Sequence, residues 1–360
     1  MRRIKIGLIG LGEVAQVIHL PVLELLKDRF EISAVCDISD TLVEAIGMRY
    51  GVPESGRHPD YAGLVRQPDL DAVMVLNPDA MHASCAIAAL RAGKHVFVEK
   101  PVCLTLEDAE AVIAAEREAG KQVMVGYMRR FAPAFRAAIA ELQHLGPVQY
   151  AHLRAIIGAN ALFVEQTSRV LRPADVAPAD LEALERQRED QLRAALGGEA
   201  SAQEKRWYRL LNGLSSHDLS AMRQLLGMPR AVVSSVVCGN YGHFVFDYGG
   251  FIASYEVGTD RQRRFDAGIE VFGTHKTVKV QYNTPYIRQL PTLLHVRETD
   301  GDTDAEREVR PTFKDAYVAE LEHWHAVVAQ GADPVCTAED ALQDLVLFRQ
   351  IMARLVEVRE

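Results

Sequence analysis

The chain has 360 residues, a formal net charge of −9, 48% apolar residues and 25% charged residues. That length exceeds one ordinary core and suits two domains of a soluble globular protein. The negative balance argues against an electrostatic grip on nucleic acid or on an anionic membrane, and no apolar run reaches the roughly 18 residues of a spanning helix.

The N-terminal MRRIKIGLIGLG has a basic start and an apolar run but no small-residue cleavage site, so it does not read as a signal peptide. Cys36, Cys85, Cys103, Cys238 and Cys336 are scattered, with no CxxC among them. They read as reduced, mostly buried thiols of a cytoplasmic protein.

In chain order, the first third alternates strand with helix. Continuous apolar runs at 4–10 (IKIGLIG), 31–37 (EISAVCD), 70–77 (LDAVMVLN), 94–100 (KHVFVEK) and 121–127 (KQVMVGY) suit strands buried on both faces of a parallel sheet. Helical stretches at 14–27, 40–50, 80–92 and 105–119 lie between them. In the last, Thr105 is a candidate N-cap and Gly120 a candidate C′ residue. This alternation predicts right-handed βαβ units and a doubly wound parallel sheet, a Rossmann-type α/β domain over residues 1–125. The pattern then changes. VQYAHLRAIIGAN (148–160) reads as a strand, 165–206 as a polar helical insertion, and the strand-like pieces between 230 and 298 as an antiparallel sheet. Amphipathic helices at 314–329 and 338–357 follow. Residues 126–360 are therefore expected to form a second, α+β domain whose terminal helices are free to pack back on the first.

After the first strand comes Gly10-Leu11-Gly12-Glu13-Val14-Ala15, a G-x-G-x-x-A pattern opening a helix. Gly10 permits the tight turn, and Gly12 lets backbone approach a pyrophosphate at the helix N-terminus, with Glu13 and Val14 beside it. Asp37, at the end of the next strand, is spaced for a carboxylate on the adenosine ribose. A carboxylate there repels a 2′-phosphate, and no Arg immediately follows it, so NAD is expected over NADP.

Ligands of an open α/β sheet bind beyond the carboxyl ends of its strands. Three more loops end there: LNPDAMHA (76–83), EKP (99–101) and GYMRRF (126–131). They supply Asn77, Pro78, His82, Glu99 and Lys100 as cofactor-side candidates. Pro101 disfavours helical geometry at Lys100, so the lysine leaves the strand extended. Tyr127, Arg129 and Asn160 are substrate-side candidates, with capping or solvated roles as the alternative for each. Arg130 reads equally as a surface charge.

GLIGLGEVA, NPDAMHASCAIAALRAGKHVFVEKP and GYMRRFAPAF together resemble the glucose–fructose oxidoreductase/inositol dehydrogenase (Gfo/Idh/MocA) family. EKP after GKHV is the most specific mark, and GIEVFGTHKTVKV and the terminal helices match in outline. The resemblance implies a Rossmann domain and an α+β domain with an open, mainly antiparallel sheet that forms a homodimer or homotetramer. It implies reversible oxidation of a sugar or cyclitol hydroxyl with NAD(P). It also implies an Asp-x-x-x-His pair on a helix of the second domain. The matching stretch is LLNGLSSHDLSAMRQLLG (210–227), where His217 stands at the histidine, Ser220 where a further acid is frequent, and Gly213 where the aspartate is expected. Asn212 and Asp218 are the candidates to replace it in part, although neither has the i−4 spacing on an α-helix. Ser215 or Ser216 reads as the N-cap of that helix.

The expected chemistry is general-base catalysis by His217, with Lys100 stabilising charge on the same substrate oxygen. Two other functions stay open: an NAD-retaining lyase, glycosidase or epimerase on the same fold, and a non-catalytic NAD-binding regulator. His323 and His325 diverge on a helix, and no HExxH or CxxC occurs, so no catalytic metal is expected. The insertion 165–206 reads as a lid over the sugar site, an arm for subunit contact or a solvated excursion. SAQEKRWY (201–208) gives it a basic-aromatic end of a kind that stacks on sugars.

Overall fold

The computed structural model describes residues 2–358. They form two compact units. The first comprises residues 2–126, 169–205 and 320–345, and the second 127–168, 206–319 and 346–358.

The first unit holds a six-stranded parallel sheet: β1 (Ile4–Ile9), β2 (Phe30–Cys36), β3 (Arg57–His58), β4 (Ala72–Val75), β5 (His95–Glu99) and β6 (Val123–Gly126). Its order is β3-β2-β1-β4-β5-β6, that of a doubly wound dinucleotide fold, with the switch point between β1 and β4. Strands β4, β5 and β6 are buried on both faces, which is why each reads as an unbroken apolar run. Thr105 caps the helix Leu106–Ala119 by accepting from the Asp108 N–H at 3.0 Å, and Gly120 ends it in the left-handed region at φ 58°. Residues 320–345 complete this core. Trp324 stacks on Phe30 with ring centroids 5.5 Å apart, and the Val125 N–H donates to the Cys336 carbonyl at 2.8 Å.

The second unit is built on a nine-stranded sheet: β7 (Tyr150–Gly158), β8 (Ala231–Cys238), β9 (Tyr241–Asp247), β10 (Ile252–Asp260), β11 (Phe265–Phe272), β12 (Lys276–Tyr282), β13 (Leu293–Asp300), β14 (Thr303–Val309) and β15 (Leu355–Glu357). The order is β14-β13-β12-β11-β7-β10-β9-β8-β15. Most pairs are antiparallel; β7–β10 and β8–β15 are parallel. The last helix stops at Met352, short of the expected 357, and β15 follows it.

None of the five cysteines is in a disulfide, and four are buried. Burial pushes the Cys85 thiol up to about 11 and raises those of Cys36 and Cys103 as well, so they sit as inert thiols. Among the described residues no helix is long and apolar enough to cross a membrane.

Glu116 ties the helix Leu106–Ala119 to β6 by accepting from the Val123 N–H at 2.7 Å. Burial pushes its carboxyl up to about 7. A carboxyl raised in the folded state favours folding at low pH, and that contribution is lost as pH rises through 7. Between pH 5 and 8 the wild type should lose about 1–3 kcal/mol of unfolding free energy relative to Glu116→Gln. Denaturant unfolding of both proteins across that range checks this, and parallel pH profiles would contradict it.

Candidate active site

Gly10 lies at φ 93°, and a Cβ there would come within 2.4 Å of the Asn77 nitrogen, so glycine is required. A Cβ on Gly12 would meet nothing within 4 Å. The loop is thus open over Gly12, where a pyrophosphate would lie against the start of the helical stretch that holds Glu13 and Val14. Ala15 is buried against the sheet. Asp37 follows β2, and its carboxylate accepts from the backbone N–H groups of Leu11 (2.8 Å) and Ser39 (3.0 Å). One acid thereby holds the loops after β1 and β2 together, and the residues present fit a dinucleotide.

The loops after β4 and β5 are joined by His82. Its Nε2 lies 2.8 Å from the Asn77 carbonyl and its Nδ1 2.6 Å from that of Pro101. Both partners are acceptors, so the neutral ring donates one of these bonds and the protonated ring both. The Asn77 amide reaches Cys85 Sγ at 3.3 Å, and Pro78 leads into the short turn Asp79–Met81. Glu99 closes β5 in a fully pinned state. Its Oε1 pairs with buried His19 Nε2 at 2.7 Å, and its Oε2 accepts from the Lys100 N–H at 3.1 Å. Burial pushes this carboxyl up, but the His19 hydrogen bond and the charges of His19, Lys100 and His82 outweigh it and hold it below the usual carboxylate range. Lys100 is half-buried at the strand end, followed by a cis Lys100–Pro101 peptide. His19 was not visible as a partner of Glu99, because 80 residues separate them.

The insertion also lies on this unit. The Leu171 N–H donates to Gln16 Oε1 at 2.8 Å, the Gln16 amide returns a bond to the Leu171 carbonyl at 3.0 Å, and Arg172 pairs with Glu13 at 2.8 Å. Asp175 accepts from Ser39 Oγ at 2.6 Å and from the Thr41 N–H at 2.8 Å. Further on, the helix Pro178–Leu196 sets Gln187 on the Ala80 carbonyl at 2.8 Å and Arg188 on Asp79 at 3.2 Å. Residues 169–191 therefore run along the carboxyl edge from the β1 and β2 loops to the β4 loop. Sequence reasoning did not connect them with this edge, since nothing local marks Asp175 or Leu171.

In the second unit, the helix Ser216–Leu226 carries His217, which is half-buried. Ser215 and Ser216 do not cap it. The chain runs into it helically through a π-turn, Leu211–Ser215, with Ser215 at φ −67°, ψ −20° and no capping bond. A π-turn bonds residues five apart and winds more slowly than an α-helix, so Asn212, five before His217, lies nearer its face than α-helical spacing implied. Its Nδ2 donates to the Tyr208 carbonyl at 2.9 Å, and its buried Oδ1 has no partner. Gly213 is exposed, and a Cβ there would meet nothing within 4 Å.

Asp218 faces the core, where it forms an ion pair with buried Arg129 and accepts from Tyr255 Oη at 3.0 Å. Burial pushes its carboxyl up to about 6, against the Arg129 charge and the Tyr255 hydrogen bond. Arg129 also lies over the Tyr282 ring, 4.9 Å from its centroid. Arg130 is not a surface charge: it is buried and donates from Nε to Gln224 Oε1 at 2.6 Å. Tyr127 is buried, whereas Asn160 is exposed and reaches Tyr286 Oη at 3.4 Å. The aromatic end of SAQEKRWY is also buried. Trp207 packs edge-on to Phe244 and against Gly242, so it is not a stacking platform.

Comparison with known proteins agrees with this geometry. Residues 4–127 match the Gfo/Idh/MocA oxidoreductase family, NAD-binding Rossmann fold. An inositol 2-dehydrogenase of Salmonella paratyphi B is 36% identical over 129 residues, a stretch that covers 36% of this chain and 38% of that protein. A myo-inositol 2-dehydrogenase of Thermotoga maritima is 25% identical over 370 residues, covering 99% of this chain and 97% of its own. Among solved structures, a 3-ketoreductase of Actinomadura kijaniata in complex with NADP superposes with a TM-score of 0.73 at 19% identity, covering 99% of both chains. The family match thus covers the NAD-binding part of the chain, residues 4–127.

Removing the Asp218 carboxylate leaves Arg129 as an unpaired buried charge. Asp218→Ala should therefore cost about 3–5 kcal/mol of stability, measured by denaturant unfolding. Asp218→Asn, which keeps an acceptor for Tyr255, should cost less. A loss below about 1 kcal/mol in Asp218→Ala would show that the pair contributes little.

Proposed function

We propose that the whole chain is a Gfo/Idh/MocA-type enzyme, an NAD-dependent dehydrogenase that oxidises a secondary hydroxyl of a sugar, glycoside or cyclitol, or reduces the matching ketone. The observation that carries the reading is the carboxyl edge of the six-stranded sheet, where an open glycine loop, Asp37 and Lys100 follow β1, β2 and β5. Inositol as the substrate of two relatives supports the polyol class. NAD is preferred because residues 37–41 (Asp-Ile-Ser-Asp-Thr) carry two acids and no base for a 2′-phosphate.

Bound NAD supplies the hydride acceptor. Lys100 donates a hydrogen bond to the substrate oxygen and stabilises the negative charge that develops there. His217 takes the hydroxyl proton as general base. Glu99, kept charged by His19, fixes the Lys100 backbone through the Lys100 N–H. The second unit supplies substrate recognition, and its sheet the homodimer or homotetramer contacts. A cytoplasmic location suits five cysteines outside any disulfide.

A second reading is favoured by the segment 169–175 lying across the cofactor edge. An enzyme that retains NAD and returns the hydride to its product, as an epimerase or lyase does, would profit from such a cover. NAD that survives dialysis, without net NADH formation, distinguishes it from the dehydrogenase.

A panel of sugars, cyclitols and glycosides offered with NAD and NADP in parallel should give NADH absorbance with at least one member. Lys100→Met should lower kcat by at least about 10³-fold and His217→Ala by about 10²–10⁴-fold, while NAD affinity stays within about threefold of the wild type by calorimetry. Turnover that survives Lys100→Met removes the lysine from the chemistry.

A further inference from the structure

Asp175 reaches the start of the helix Asp40–Arg49 from 136 residues away in sequence, on a segment held at two earlier points, Leu171 on Gln16 and Arg172 on Glu13. In a doubly wound dinucleotide fold, the acid that ends the second strand lies at the adenosine ribose, and an added 2′-phosphate falls beside it, where that helix begins. This chain offers two donors there, Ser39 Oγ and the Thr41 N–H, at a helix N-terminus that favours an anion. Asp175 takes both, Oδ1 from Ser39 at 2.6 Å and Oδ2 from Thr41 at 2.8 Å. These bonds hold its carboxyl down to about 2, so the occupant is an anion at neutral pH. Ser39 is itself committed, since its Oγ accepts from the Leu42 N–H at 3.1 Å.

We propose that Asp175 is a specificity-determining residue, a carboxylate carried by the insertion that fills the 2′-phosphate position and so excludes NADP. The inference rests on the NAD reading above and deepens it. Asp37 acts by like charge alone, whereas Asp175 both repels the phosphate and consumes the donors that would bind it. NAD, with a free 2′-hydroxyl, does not compete for those donors and binds with Asp175 in place.

Calorimetric titration of the full chain with NAD and with NADP tests this, in the wild type and in Asp175→Ala, with Asp175→Ser as a second neutral variant should the first not fold. The wild type should bind NAD. The variants should bind NADP at least tenfold more tightly than the wild type does, with NAD affinity changed by less than about threefold. NAD and NADP affinities that rise together would make residues 169–175 a general cover and overturn the proposal. NADP affinity that stays as in the wild type would also overturn it, while leaving the NAD reading intact. A wild type that binds neither nucleotide, or prefers NADP, would overturn both.

Discussion

Asp37 is the carboxylate on which the cofactor edge depends. A parallel sheet delivers its loops to one end, but adjacent loops there have no ladder to hold them in register. The Asp37 side chain supplies the tie, accepting from Leu11 on one loop and from Ser39 on the other. It also leaves each oxygen with spare acceptor capacity for a ribose hydroxyl. Gly10, which only glycine can fill, sets the other wall against Asn77. The open face of Gly12 follows from these two constraints together.

The same end of the sheet carries two further clamps of different chemistry. His82 ties the β4 loop to the β5 loop through two carbonyls, and His19 holds Glu99 in the charged state that receives the Lys100 N–H. Both are buried, where unsatisfied polar groups cost more than in water, so both rigidify the backbone around Lys100. The insertion adds an outer layer. Its extended part covers the β1 and β2 loops, and the helix Pro178–Leu196 covers the β4 loop through Gln187 and Arg188. That helix is polar on nearly all sides and buries only Leu192 fully, so polar contacts with the edge loops hold it in place rather than a core.

The strands of both sheets were legible wherever a run was apolar or alternated. The sequence could not show β3, which is the two polar residues Arg57–His58, or β14, where all but the last of TDAEREV is exposed and no apolar period exists. The Rossmann motif was legible because its residues are local: Gly10, Gly12 and the acid after β2. The supports of the site were not. His19 with Glu99 and Asp175 with Ser39 pair across 80 and 136 residues, and no short window contains either pair. Arg130 and Trp207 were misread for a related reason. Charge and aromatic type suggest exposure to solvent or ligand, but Gln224 and the β9 surface bury them. Asn212 was discounted on spacing because α-helical geometry was assumed where the chain makes a π-turn.

The central claim is that NAD binds on the edge framed by the glycine loop, the Asp37 loop and the 169–175 segment. Amide hydrogen exchange with and without saturating NAD tests it most directly, because it reads the site residue by residue and needs no substrate. The account predicts slowed exchange at residues 11–16, 37–41 and 169–175, with β14 unchanged. Protection confined to other parts of the chain, or none at saturating NAD, would contradict it.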